Sequence, residues 1–232
     1  MSKLLAFVGV ESLSVVGHDN GGAVAQRFVV DHAARVRKWV LIYSVLYDSW
    51  LAEPMVRLGN PKLHYRTQGD ELALKFIERL PDGFHHGEKA SRELLEGWMA
   101  PYATEAGKLS LIRNAAALNI NRTIELIEDL KKLTITLLLL WRARDQFQPL
   151  SSAERFKEEF QDTQLRVIPD SDHFLPFEKG EQVARILVEF LSLTASGWKV
   201  GNAEYLNSAE ATASGFAPVY VPYRDLKPTV WL

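Results

Sequence analysis

Leu13-Ser14-Val15-Val16-Gly17-His18-Asp19-Asn20-Gly21-Gly22-Ala23-Val24-Ala25 carries a change of hydrophobic period within a few residues. Leu13–Gly17 is short, apolar and β-branched, as a buried strand requires, and Gly22–His32 then places Ala23, Val24, Phe28 and Val29 at helical spacing. Between them, Gly17-His18-Asp19-Asn20-Gly21-Gly22 must turn a strand sharply into a helix. Such a turn strains the backbone at its central residue and needs neighbours without a bulky Cβ, so that strand and helix can approach. Gly17 and Gly21 flank Asp19 at two residues on either side. The Asp19 carboxylate is therefore expected at the C-terminal edge of a sheet, with the N-terminal N–H groups of the new helix aimed at it. A second reading is that Asp19 and Asn20 simply cap the helix and the glycines serve the turn. The Gly-x-Gly-x-x-Gly and Gly-Lys-Ser/Thr patterns of nucleotide loops are absent.

Working outward, Trp39–Tyr43, Ile135–Trp141 and Leu165–Pro169 also read as buried parallel strands. Helical patterns fit Ala153–Phe160, opened by a capping box at Ser151-Ser152-Ala153-Glu154, and Glu181–Leu193. The alternation predicts an α/β fold with a parallel sheet. From about residue 47 to 133 it stops. Glu71–Leu80, Ser91–Met99, Leu109–Leu118 and Thr123–Leu133 are candidate helices, punctuated by Gly and Pro, and no strand is convincing. The expected organisation is a core over 1–46 and 134–195, a helical lid over 47–133, and a tail over 196–232 without clear periodicity.

The 232 residues include 27 basic and 29 acidic side chains and are 47% hydrophobic, which excludes disordered, collagen-like and coiled-coil chains. The near-zero charge gives no electrostatic case for nucleic acid or an anionic membrane. With no cysteine, thiolate metal sites and disulfides are impossible. Met1-Ser2-Lys3 and Leu4–Val8 make too short a stretch for a signal peptide, and the longest apolar run is strand-length. A cytoplasmic globular protein without a cofactor or metal is expected.

Two further residues follow predicted strands. Asp145 follows the third, in Trp141-Arg142-Ala143-Arg144-Asp145-Gln146-Phe147, and His173 follows the fourth, in Pro169-Asp170-Ser171-Asp172-His173-Phe174. Loops after the strands of a parallel sheet open at one edge, so Asp19, Asp145 and His173 should meet there. Taken singly, a loop Asp or His is usually a solvated surface group; three at the right strand ends form a catalytic constellation.

The elbow, the acid and the histidine occur in the order nucleophile, acid, histidine of the α/β-hydrolase family. The chain resembles its Asp-nucleophile branch: haloalkane and haloacetate dehalogenases and soluble epoxide hydrolases, with Gly-His-Asp-x-Gly-Gly at the elbow. The likeness covers most of residues 3–193. It implies Asp19 as nucleophile, His173 as base and Asp145 as the acid orienting it, with Asp48 a weaker substitute. The Asn20 backbone N–H would serve the oxyanion. A carboxylate displaces a leaving group at saturated carbon without help from a base, giving an alkyl ester that His173-activated water hydrolyses. Dehalogenases of the branch often carry Trp or Arg just after the nucleophile, where this chain has Asn20. His18, Tyr47, Trp50, Trp98, Tyr102 and Phe174 are candidates for the substrate pocket, although aromatic residues in a lid more often serve packing.

The resemblance also implies strands and an oxyanion-hole His-Gly segment ahead of the elbow strand. Only twelve residues precede Leu13 here, which leads to the expectation of an N-terminally truncated hydrolase. Leu13–Gly17 would then be an uncharged edge strand open to self-association. The competing expectation is a non-catalytic hydrolase-like fragment or pairing module.

Overall fold

In a computed structural model of the chain, residues 2–49, 91–142, 148–169 and 173–192 are described. The chain divides into two units, Met1–Leu191 and Ser192–Leu232. The sheet and the site belong to the first; of the second, only Ser192, the last residue of a helix, is among the described residues. The element order is α1 (Ser2–Phe7), β1 (Leu13–His18), α2 (Asn20–Asp31), β2 (Val36–Ile42), α3 (Arg92–Met99), α4 (Glu105–Ala116), α5 (Asn121–Ile124), α6 (Ile127–Leu130), β3 (Thr136–Trp141), α7 (Leu150–Glu159), β4 (Thr163–Val167), α8 (Leu175–Glu178) and α9 (Gly180–Ser192). Short 3-10 turns occupy Ala33–Arg35 and Ala100–Tyr102.

The four strands form one sheet in the order β1-β2-β3-β4, parallel throughout. Among the described residues β1 and β4 are its edges, as expected for Leu13–Gly17. The centre is the leucine run of β3: Leu137, Leu138, Leu139 and Leu140 are all buried. Such a run cannot alternate between core and water, so it suits a strand covered on both faces. In register, Gly17 lies beside Leu41, and Leu41 beside Leu139. All four strands therefore end at one edge.

Several expected boundaries shift, each for a local reason. β4 starts at Thr163, two residues before the expected Leu165, and ends at Val167. Its polar Thr163 and Gln164 pair with Leu137 and Leu138 because an edge strand needs only one apolar neighbour. β2 starts at Val36, and Tyr43 turns away from it with φ 41°. The buried face of α2 is Gly22, Ala25, Gln26, Phe28 and Val29, whereas Val24, expected inside, is 55% exposed. The elbow sets the helix rotation by pressing Gly22, rather than Ala23, toward the sheet.

The capping box at Ser151 does not form. α7 begins at Leu150 behind Pro149, with no side-chain cap bond. Ser91 caps α3 by accepting the Leu94 N–H at 3.1 Å, and Thr104 caps α4 by accepting that of Gly107 at 3.1 Å. The expected Thr123–Leu133 helix is split into α5 and α6, joined by tighter turns in which the Leu126 N–H donates to the Thr123 carbonyl (3.3 Å) and the Asp129 N–H to that of Leu126 (3.1 Å). The buried Thr123 hydroxyl lies 2.5 Å from the Tyr47 carbonyl. The described residues between β2 and β3 contain no strand. The candidate helix Glu71–Leu80 lies outside the described residues. No described helix is long and apolar enough to cross a membrane.

Candidate active site

Strand β1 ends at His18 and α2 begins at Asn20, so the whole turn falls on Asp19. Its backbone sits at φ 49°, ψ −125°, a region that a residue with a Cβ enters only at a cost of about 1–3 kcal/mol. The strain is held by main-chain bonds. The Asp19 N–H donates to the Ile42 carbonyl (3.3 Å), and the Asp19 carbonyl accepts from Gly22 (2.9 Å) and Val45 (3.4 Å). Asp19 stands at the N-cap position, yet its side chain makes no cap hydrogen bond. The capping alternative therefore fails.

The glycine pattern needs one correction. A Cβ on Gly17 would lie 2.8 Å from both the Gly21 carbonyl oxygen and the Gly22 Cα, and one on Gly22 would lie 2.3 Å from the Ser44 Cβ and Oγ. A Cβ on Gly21 meets nothing within 4 Å. The close approach rests on Gly17 and Gly22 rather than on Gly17 and Gly21. Ser44 reinforces it from below, with its hydroxyl 3.1 Å from the Gly17 carbonyl. Gln26 does the same from the helix, where its amide donates to the Val45 carbonyl at 2.8 Å.

His173 reaches this turn from the far end of the sheet. Its Nε2 lies 3.6 Å from Asp19 Oδ1, with the His173 side chain 7% exposed and that of Asp19 36% exposed. That separation is an approach just beyond a hydrogen bond. The other carboxylate oxygen, Oδ2, accepts from the Asn20 side-chain amide at 3.1 Å. Asn20 thus orients the carboxylate so that Oδ1 faces the imidazole. As the first residue of α2, Asn20 also has a backbone N–H without an intrahelical acceptor. Asp145 and Trp50 lie outside the described residues; Asp48 is among them and is exposed.

Of the substrate candidates, Phe174 packs edge-on to His173 at 5.3 Å between ring centroids, and Trp98 of α3 lies 4.9 Å from Phe174. Phe177, not foreseen, closes the group at 5.0 Å from Trp98. Helix α3 therefore meets the histidine loop through aromatic rings. Tyr102 ends the 3-10 turn after α3, half-buried. The His18 ring lies beside that of His173, with 5.4 Å between centroids. Its Nε2 is bonded to the His173 carbonyl at 2.9 Å.

Tyr47, a candidate for the pocket, is packed on all sides. It is buried, with Phe156 against its ring edge at 5.7 Å and the Arg155 guanidinium over its face at 4.0 Å. Its hydroxyl donates to Glu159 at 3.2 Å. Burial first, and the Glu159 charge second, raise the phenol above its ordinary value. Arg155, with help from Lys131 and Tyr47, holds the Glu159 carboxyl below its usual range. Tyr47 packs against α7. A raised folded-state value favours folding fully below the unfolded phenol's own titration, near pH ~10, and that stabilisation is lost as pH rises beyond it. Urea midpoints should therefore fall as pH rises above about pH 10, and Tyr47→Phe should flatten the decline.

The model of the alpha/beta hydrolase family matches residues 3–186. The chain belongs to the alpha/beta hydrolase family. Among curated relatives, a 2-hydroxymuconate semialdehyde hydrolase of Pseudomonas putida is 26% identical over 204 residues, 82% of this chain and 66% of that protein. A 2-hydroxy-6-oxo-6-phenylhexa-2,4-dienoate hydrolase of Burkholderia cepacia is 24% identical, over 80% of this chain and 64% of its own length. The chain thus spans slightly less than two thirds of the length of these relatives. Among solved structures, a haloalkane dehalogenase from Bradyrhizobium elkani superposes with a TM-score of 0.68 at 19% identity, over 82% of this chain and 70% of that one. An esterase from Exiguobacterium antarcticum gives 0.62 at 16%, over 83% and 71%. Both likenesses are of fold. This α/β hydrolase therefore shares its sheet and helices with enzymes of differing chemistry, and its own elbow must supply the distinction.

Proposed function

We propose that this α/β hydrolase cleaves a carbon–halogen bond or an epoxide in a small organic substrate, with Asp19 as nucleophile. The observation that carries the reading is the Asp19 turn itself: a strained aspartate with no capping bond, whose Oδ1 faces the buried His173 Nε2 at 3.6 Å. A helix cap would need none of that strain.

In the first half-reaction, one Asp19 carboxylate oxygen attacks the substrate carbon. The carbon–oxygen bond forms as the carbon–halogen bond breaks, and halide leaves with the electron pair. An epoxide would instead open to an alkoxide that takes a proton. In the second half-reaction, His173 accepts a proton from water while the oxygen adds to the Asp19 carbonyl carbon. The Asn20 N–H at the head of α2 stabilises the oxyanion. Collapse expels the alcohol, protonated by the imidazolium, and leaves the Asp19 carboxylic acid, which releases its proton to solvent to restore the carboxylate. Asp145 would fix the imidazole orientation. The rings of Trp98, Phe174 and Phe177 favour an apolar substrate portion. Composition, with no cysteine, suits a cytoplasmic setting.

Oxygen tracing tests the scheme. In a single turnover with bromobutane in 18O-water, the alcohol should emerge unlabelled, because its oxygen comes from Asp19. Repeated turnovers should place the label in the Asp19 peptide, read by mass spectrometry. Labelled alcohol from the first turnover would mean direct attack by water and would remove Asp19 from the nucleophile role.

A further inference from the structure

We infer that His18 is a positioning residue for His173, acting through the main chain rather than on a substrate. The inference rests on the Asp19–His173 reading above and adds the group that holds the base in place.

The carbonyl of His173 falls outside the helical ladder that follows it. In α8, the Phe174 carbonyl accepts from Phe177 and Glu178, and the Leu175 carbonyl accepts from Lys179. The His173 carbonyl instead lies 2.9 Å from the His18 Nε2. A carbonyl oxygen only accepts, so the His18 Nε2 carries hydrogen and donates, in the neutral ring as well as in the cation. The two imidazoles lie 5.4 Å apart between centroids, tilted by 39°. His18 is the last residue of β1, adjacent to Asp19, and its partner lies 155 positions away. One side chain on the nucleophile's own strand thereby fixes the backbone from which the base projects.

The geometry makes this bond consequential. His173 stands 3.6 Å from Asp19 Oδ1, so a displacement of under an ångström separates a productive base from an idle one. A misplacement on that scale costs up to roughly 10²-fold in rate. The effect should also be selective. Alkylation of Asp19 does not use His173, whereas hydrolysis of the ester does.

The test compares His18→Leu, which fills the space without a donor, with His18→Gln, whose Nε2–H₂ can replace the donor. Rapid-quench mass spectrometry with bromobutane and with styrene oxide follows alkylation and ester hydrolysis separately. In parallel, 15N spectra of the His173 imidazole report its order without any turnover. His18→Leu should slow ester hydrolysis by roughly 10- to 100-fold, leave alkylation unchanged and shift or broaden the His173 signals. His18→Gln should restore both readouts. A His18→Leu variant that matches the wild type in the spectra, or that slows both half-reactions alike, would overturn the inference, as would a His18→Gln variant no better than His18→Leu. If no alkyl-enzyme forms in any chain, the Asp19 reading falls, and the spectra alone then decide the role of His18.

Discussion

Replacing His173 with Ala is expected to stop the reaction at the alkyl-enzyme. The carboxylate of Asp19 is already a nucleophile, so a bromoalkane or epoxide should still add to it. Without the imidazole, the ester meets only unactivated water, and loss of a general base costs typically about 10²–10⁴ in rate. Intact-mass analysis after incubation should show one stable adduct, which peptide mapping places at Asp19. Asp19→Asn should show none, because an amide is not a nucleophile of this kind. Asp145→Asn should lie between wild type and His173→Ala, accumulating some ester, if Asp145 orients the imidazole. A folded His173→Ala protein that forms no adduct with haloalkanes, haloacetates or epoxides would return the chain to the non-catalytic alternative. The experiment reads the first half-reaction alone, so a slow second step does not obscure it.

The elbow supplies the second large effect. Gly22→Ala would drive a methyl group to 2.3 Å from the Ser44 side chain, a distance that real Cβ atoms do not adopt. Ser44 is itself fully buried beneath the turn and cannot swing into solvent. Overpacking of this kind costs about 1–3 kcal/mol and sometimes more, which for a chain of this size lowers Tm by roughly 2–4 °C per kcal/mol. Gly21→Ala meets open space at an ordinary backbone angle and should be neutral or stabilising, by up to about 1 kcal/mol. Thermal melts of the two variants give the comparison. The double variant Gly22→Ala, Ser44→Gly should recover part of the loss, because the clash is between those two residues. Equal melting temperatures for Gly21→Ala and Gly22→Ala would mean that the helix does not approach Ser44 as described.

These outcomes also show what could be read from the residues. The leucines of β3 and the glycine-flanked Asp19 announced themselves because each violates a simple rule of exposure or backbone freedom. A run of buried leucines needs cover on two faces, and a glycine pair needs a close neighbour. The order of Asp19 and His173 along the chain was equally legible, since a parallel sheet sends both to one edge. What stayed hidden depends on rotation and on distant partners. Which face of α2 turns inward follows from the φ of Asp19, and no periodicity of Val24 and Phe28 encodes that angle. Tyr47 looked like a lid residue because Glu159 and Arg155, which claim it, lie more than a hundred positions downstream. The first two residues of β4 were missed because edge strands tolerate Thr and Gln. His18 was visible as part of the elbow, but its acceptor is a main-chain carbonyl, a group that carries no signature in sequence.

The register of the sheet has a consequence for how such a protein can change over generations. Ile42 and Leu140 sit side by side in β2 and β3, although the whole inserted block separates them in the chain. The entropy of closing a loop grows only with the logarithm of its length, so doubling that block costs about 0.6 kcal/mol. In loop-closure entropy alone, added length there is cheap and leaves the strand pairing untouched. The elbow residues on β1 and the histidine loop beyond β4 both lie outside it. The block also supplies Leu126, Ile127 and Leu130 to the core, so added length is tolerated away from those residues, while Trp98 on Phe174 joins the block to the histidine loop. The length of the block and the register of the strands on either side of it are thus separable.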